Sequence, residues 1–365
     1  MCKRILASQT NSESGVPFYK IGTIGGVPDA YISKELFESY RAKYSYPRKG
    51  EVMITCAGTV GKAMIFDGHD SYYQDSNIVW IDNPTNKINN TFLYHFISKV
   101  DWSKLNTTTI VRIYNDDLRQ LKISYPTLTE QRKISIFLDL LNKRIQTQKK
   151  IIEDLKKLKD AINNSLHNNI NEFQLFSFSE LGNDYSGLIG KSSDDFGSGL
   201  PYISYLNVFR NDIVTDGSFD CVKVSKTEKQ NVVSYGDLLF TLSSETPSEV
   251  GIGAIYLGKT NPLYLNSFCF GVHLSNHENI YGPYLAYFVT SQYFRRTILP
   301  FAQGSTRYNL MKSDFMKHKF CFPNMATQKA IYNALHTLSE KIQNEEVSLN
   351  KFAEQKQYLL SRLFI

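Results

Sequence analysis

The side chains in this chain whose types and spacing could do chemistry are hydrogen-bonding and cationic groups set in loops, rather than nucleophiles or metal ligands. The richest run is Ala302-Gln303-Gly304-Ser305-Thr306-Arg307-Tyr308-Asn309, and Thr107-Thr108-Thr109-Ile110-Val111-Arg112 holds the corresponding place earlier in the chain. Arginine, glutamine and asparagine offer paired hydrogen-bonding atoms that match guanine and adenine edges, and small neighbours let a backbone approach a groove. Read this way, Gln303, Ser305, Thr306, Arg307 and Asn309 are candidate DNA contacts, with Thr108 and Arg112 as counterparts. The plainer alternative is a strand-to-helix loop with Arg307 in water.

Other polar loops join the candidate set. Gly58-Thr59-Val60-Gly61-Lys62 could set Thr59 and Lys62 on phosphates, or be a simple hairpin turn. Tyr72-Tyr73-Gln74-Asp75-Ser76 has the counterpart Tyr264-Leu265-Asn266-Ser267, in which Gln74 and Asn266 suit adenine while Tyr73 suits either packing or contact. Tyr19, Lys20 and Thr23 match Ile203, Ser204 and Asn207 in position, adding a further loop that could face DNA. Lys149-Lys150 and Lys156-Lys157 could touch phosphate, yet Glu153 stands four residues before Lys157, the spacing of a solvated helix face.

Catalytic signatures are missing. Asn83-Pro84-Thr85 is not the Asn-Pro-Pro-Tyr adenine-methylation motif, Gly61-Lys62 has Cys56 where a phosphate-binding loop needs its first glycine, and no glycine-rich cofactor signature follows a strand. The five cysteines are scattered, with no Cys/His set at metal-ligand spacing, so they read as reduced packing residues and no metal is expected.

The elements that must hold these loops are legible as a repeat. One stripe runs Ile134, Leu138, Leu141, Ile145, Gln148, Ile152, Leu155, Lys159, Ile162, Leu166; the other runs Ile331, Leu335, Leu338, Ile342, Glu345, Leu349, Phe352, Lys356, Leu359, Leu363. Both alternate steps of four and three, the period of a coiled-coil seam, and both are broken by a polar residue at the fifth and eighth layers. Upstream, Pro126 and Pro323, Gln131 and Gln328, and Asp117 and Asp314 keep the same offset, so a globule followed by a long helix occurs twice.

Within each globule, short β-branched and aromatic runs bounded by turn residues predict strands at 52–55, 63–66 and 77–81, then 238–241, 254–257 and 268–272. Helical patches are expected at 91–99, 115–121, 282–292 and 312–317. Each long helix starts after a proline, with Thr129 and Thr327 as expected N-caps. At about 38 residues such a helix is roughly 57 Å long, the length of a spacer. Parallel pairing in register would set Lys159 against Lys356, whereas antiparallel pairing gives each polar layer an apolar partner along which a lysine stem can lie with its ammonium in water. Antiparallel pairing is therefore expected, relating the globules by a pseudo-two-fold axis suited to a bipartite DNA site.

The chain has 365 residues, 42% hydrophobic and 13% aromatic, which excludes disorder and allows two cores. Net charge is +6, with the excess in the first half, a balance that permits nucleic-acid binding without requiring it. With no apolar targeting or membrane-spanning run, a cytoplasmic location is expected.

These features resemble the specificity subunit of type I restriction-modification systems. The resemblance rests on the order globule, helix, globule, helix; on the strand openings Gly50-Glu51-Val52 and Gly236-Asp237-Leu238; and on the helix starts Pro126-Thr127-Leu128-Thr129-Glu130-Gln131 and Pro323-Asn324-Met325-Ala326-Thr327-Gln328. It implies an α+β chain with two mixed α/β target recognition domains, 1–125 and 170–322, and two antiparallel spacer helices, 126–169 and 323–365. The leader at 173–199 has no equal before Val16, so the first domain is expected to lack its opening strand. The resemblance further implies a non-catalytic subunit in which each domain reads half of an interrupted double-stranded site. Two modification (methyltransferase) subunits and the restriction (translocase and nuclease) subunits would be partners, and would hold the S-adenosylmethionine, ATP and magnesium that this chain does not bind. A free-standing duplicated DNA-binding regulator is the alternative, and a scaffold without nucleic acid a more distant one.

Overall fold

The computed structural model describes residues 1–75, 77–85, 87–104, 112–168, 172–217, 219–275 and 278–364. They form two compact units, one of residues 1–150 with the chain from Val347 onward, the other Ile151–Glu346. Each unit therefore holds one globule and part of both long helices, Leu128–Asn168 and Met325–Leu363.

In the second unit a five-stranded sheet carries the core. Its order is Ile213–Val214, Gly253–Tyr256, Leu238–Thr241, Cys269–Leu274, Gly182–Ser186, antiparallel except for the first pair. Leu238, Phe240, Phe270 and Val272 face a buried aromatic cluster with Phe288, Phe294, Phe315 and Phe320, and Ile331 and Leu335 of the second helix belong to the same core. Phe173–Ser177 pairs with Lys319–Pro323, the strand that leads into that helix. The first unit has a smaller version, with Ala63–Ile65, Val52–Thr55 and Ile78–Ile81 in an antiparallel sheet and Tyr31–Ile32, Val16–Tyr19 and Tyr72–Tyr73 in a mixed one, the last pair parallel. Among the described residues no strand pairs with Lys122–Pro126, the counterpart of Lys319–Pro323.

The two recurring motifs prove to be scaffold. Gln131, fully buried, accepts a hydrogen bond from Asn89 N–H (2.7 Å) and donates to the carbonyls of Lys87 (3.1 Å) and Pro126 (2.9 Å). Gln328 accepts from Tyr281 N–H and donates to Asn279 and Pro323, each at 2.8 Å. One buried amide thus satisfies three backbone groups and ties each helix start to its globule. Likewise Glu51 accepts from Arg48 N–H and Asp237 from Ser234 N–H, both at 2.8 Å, closing turns whose glycines, Gly50 and Gly236, sit at φ +90°. A side chain there would strain the backbone, which accounts for the Gly-Glu and Gly-Asp pairs.

The helices pair antiparallel, as expected. In the first unit Leu138 packs with Leu360 and Phe364, and the Arg144 guanidinium lies 5.3 Å from the Phe352 ring centre. In the second, Ile162 packs against the core that holds Ile331 and Leu335. Seam positions Ile134, Leu138, Leu141, Ile145, Ile152, Leu155, Leu335, Leu338, Ile342, Leu349, Phe352 and Leu359 are all buried or half-buried.

Three expectations need correcting. The caps are Thr127 and Asn324 rather than Thr129 and Thr327, because the cap is the residue just outside the first turn. Thr127 exchanges hydrogen bonds with Glu130, whereas Asn324 Oδ1 accepts from Thr327 N–H (2.9 Å) without a reciprocal carboxylate. Leu166 is exposed while Asn163 and His167 are buried, the drift of a 3.6-residue helix against a 3.5-residue stripe. Lys159 does not send its ammonium to water but binds Asp212.

Candidate nucleic-acid interface

In the second unit the candidate residues gather on a small three-stranded sheet, Ser243–Ser244, Tyr308–Leu310 and Ala302–Gln303 in that order. Gln303 lies opposite Asn309, and Ser243 flanks Asn309 from the other side. The turn requires Gly304, whose φ is +151° and whose Cβ would fall 2.0 Å from the Arg307 carbonyl oxygen. Leu310 is buried and anchors the hairpin, leaving Gln303, Ser305, Thr306, Arg307 and Asn309 exposed.

Arg307 is held by an aromatic ring. Its guanidinium carbon lies 4.9 Å from the ring centre of Phe268, itself 49% exposed, at a cleft of about 340 Å³ that Tyr205, Phe209, Ser244 and Glu249 also line. Among the described residues no carboxylate lies within ion-pair distance of Arg307, and Glu249 of the same cleft accepts from the Ser244 hydroxyl at 2.5 Å. A stacked guanidinium keeps its edge donors free for a flat partner bearing two acceptors.

Asn266, Ser204 and Asn207 serve the backbone instead. Asn266 Oδ1 accepts from Phe268 N–H (2.9 Å) and so shapes the turn that presents Phe268. Asn207 Oδ1 accepts from the Ser204 N–H (2.9 Å) and hydroxyl (2.7 Å), a cap at the start of the helix Tyr205–Arg210.

In the first unit Lys20, Gln74 and Arg112 share a cleft of about 450 Å³ with Arg4, Asp75 and Asn77. Gln74 Oε1 accepts from Ile21 N–H (3.2 Å), Thr23 Oγ1 accepts from Lys20 N–H (3.0 Å), and Lys20 Nζ donates to Asp29 (3.2 Å). Arg112 lies over the Tyr114 ring, 5.9 Å from its centre, a longer approach than that of Arg307 to Phe268. Tyr73 is buried, its hydroxyl 2.8 Å from Ser71 Oγ and its ring stacked on half-buried Tyr19 at 5.7 Å, so the packing reading holds for it. Thr59 and Lys62 are exposed on the hairpin turn that Thr55 closes, and Lys62 borders a different cleft, with Ile24 and Tyr94. Thr108 lies outside the described residues.

Sequence reasoning missed Arg4 and Asn77 in the first cleft and Phe268, Ser243 and Ser244 in the second. A cation and an amide flanking strands offered a weak signal for the first two; Phe268 read only as a strand residue.

Among the described residues no three His, Cys, Asp or Glu side chains are grouped to hold a metal ion. Burial pushes the Cys2 and Cys56 thiols up to about 11, far from a reactive thiolate. No helix among the described residues is long and apolar enough to cross a membrane.

The model of the type I restriction modification DNA specificity domain matches residues 1–157 and 176–354. A candidate type I restriction enzyme specificity subunit of Haemophilus influenzae is 55% identical over 139 residues, which is 38% of this chain and 36% of that relative's length. The S subunit of a type I restriction-modification system from M. genitalium has a similar fold, with a TM-score of 0.57 at 17% identity over 100% of this chain and 92% of its own. A chain from work on complex assembly and conformational transition of the type I system gives a TM-score of 0.57 at 15% identity, covering 96% of this chain and 92% of its own.

Proposed function

Because the chain belongs to the type I restriction-modification DNA specificity family, we propose that each unit reads one half of an interrupted DNA site and that the long helices set the gap between the halves. On this reading the chain is non-catalytic. Two methyltransferase subunits dock on the helices and bring S-adenosylmethionine, and the restriction subunits bring ATP, magnesium, translocation and cleavage.

The observation that carries the reading is Arg307, stacked on Phe268 without an ion-pair partner among the described residues and flanked on its hairpin by exposed Gln303 and Asn309. Arginine in this state is suited to take O6 and N7 of guanine together, a contact that discriminates by about 1–3 kcal/mol. In the first unit Lys20, Arg112 and Arg4 supply the positive charge for phosphate, and Gln74 and Asn77 the amides. Thr59 and Lys62 fit phosphate contact from the neighbouring turn.

The test is Arg307→Ala in the complex with its methyltransferase partner, read by mapping methylated sites. One half-site should lose a base of specificity while the other is unchanged. Identical motifs for variant and parent would remove Arg307 from base reading.

A further inference from the structure

Lys159 occupies a seam layer where the stripe calls for an apolar side chain, yet it is only 16% exposed and its ammonium is bound to the Asp212 carboxylate. The same ammonium stands 5.4 Å from the ring centre of Tyr287, whose hydroxyl donates to Ser339 Oγ (3.2 Å) on the second helix. Asp212 adjoins the edge strand Ile213–Val214 of the five-stranded sheet, and its carbonyl accepts from Ile255 N–H (3.0 Å) on the next strand. Four residues further on, the Asp216 carboxylate accepts from Lys259 N–H (2.8 Å) and Thr260 N–H (2.9 Å), pinning the far end of that edge to the same neighbour. All of these residues belong to the second unit. One seam side chain thus joins the first helix, through Tyr287 the second helix, and the recognition sheet.

The repeat supplies a control. Lys356, the counterpart of Lys159, is half-buried in the first unit, and among the described residues no carboxylate lies within ion-pair distance of it. Burial and the nearby Lys149 lower its pKa, the state of a cation without a partner. The lysine is common to both units, but the lock is built in only one.

We propose that the Lys159–Asp212 pair is a positioning joint that holds the second recognition sheet at a fixed inclination on its helices, and thereby restricts the gap accepted between half-sites. Neither side chain touches DNA in this account; the pair acts through the body that does. The inference rests on the reading of function given above. A partly buried pair of this kind is a weak source of stability but a good source of uniqueness, because an ammonium in an apolar seam tolerates few placements other than beside its carboxylate.

The experiment compares Asp212→Asn, Lys159→Met, Lys159→Arg and Lys156→Gln, each expressed as the full chain with its methyltransferase partner, by sequencing the methylated sites. Lys156→Gln breaks the exposed Lys156–Glu346 pair (2.6 Å) on the same helix and serves as the control. Asp212→Asn and Lys159→Met should keep both half-site sequences but lose about tenfold in discrimination against gaps one base pair longer or shorter, the scale of one charge-assisted hydrogen bond. Lys159→Arg and Lys156→Gln should keep a single gap. Because Lys159→Met alone leaves the Asp212 carboxylate without its cation, the double variant Lys159→Met/Asp212→Asn, which removes both charges, is melted beside the parent, and an unchanged melting temperature with a broadened gap separates a lost joint from a lost fold. An unchanged single gap in both Asp212→Asn and Lys159→Met would overturn the proposal, and so would equal broadening in Lys156→Gln. A parent chain that yields no gapped motif would instead remove the underlying reading of function.

Discussion

The two units share their fixings and differ in what those fixings hold. Gln131 and Gln328 tether the helix starts through the same three hydrogen bonds. Thr55 and Thr241, both fully buried, close the two central hairpins, accepting from Lys62 N–H and Ile252 N–H at 3.0 Å. Between those anchors the second unit has a longer loop, and Ser243–Ser244 within it becomes a third strand beside the Arg307 hairpin. The contact from globule to helix changes chemistry too. His95 meets Asp139 at 3.0 Å in the first unit, while Tyr287 meets His336 at 3.4 Å and Ser339 at 3.2 Å in the second. The residues that fix backbone recur in both units while those that face outward differ, which fits the proposal that the units read different half-sites.

The sharpest way to break this comparison is through the seam. Leu138 and Leu335 are fully buried at helix–globule junctions of the first and second unit. Leu138→Ala and Leu335→Ala should each cost about 2–5 kcal/mol in denaturant unfolding. A loss in only one of the two variants would mean that the helices do not serve both units alike.

The caps should show a smaller, graded difference. Thr127→Ala removes a reciprocal cap with Glu130, whereas Asn324→Ala removes a one-way cap. Each should cost about 1 kcal/mol in unfolding experiments, with Thr127→Ala the larger; the reverse order would contradict the assignment.

Smallest is the pH effect carried by His167 in the second unit. His167 is buried against Asn163 O (2.8 Å) and the Tyr284 hydroxyl (3.0 Å), and burial lowers its pKa below that of the unfolded chain. The unfolded state therefore binds more protons on acidification, so stability present above about pH 6.5 is lost as pH falls through the folded value. His167→Gln should flatten this part of the stability profile, and an unchanged slope would exclude His167 as its source.

The scaffold was legible in the sequence because periodicity and turn chemistry report directly on it. Strands 52–55 and 238–241 fall where short β-branched and aromatic runs bounded by turn residues put them, and the stripes gave the antiparallel pairing. Side-chain roles in the loops were less legible, since a polar residue reads the same whether it bonds outward or to its own backbone. Ser204, Asn207, Gln74 and Thr23 look like ligand-facing groups in sequence and are caps and tethers in space. Arg4 and Asn77 reach the cleft of Lys20 and Arg112 through contacts between distant segments, Tyr72 hydroxyl to Lys3 O (3.1 Å) and Cys56 N–H to Asn77 O (2.7 Å), and a two-residue strand such as Ser243–Ser244 is too short to show a period.

The central claim, that two units read two half-sites across a gap set by the helices, is tested most directly by sequencing the methylated sites of cells that express this chain with its methyltransferase partner. The expected result is one interrupted motif, with two defined halves and a gap of constant length. A continuous motif, or methylation without sequence preference, would contradict it.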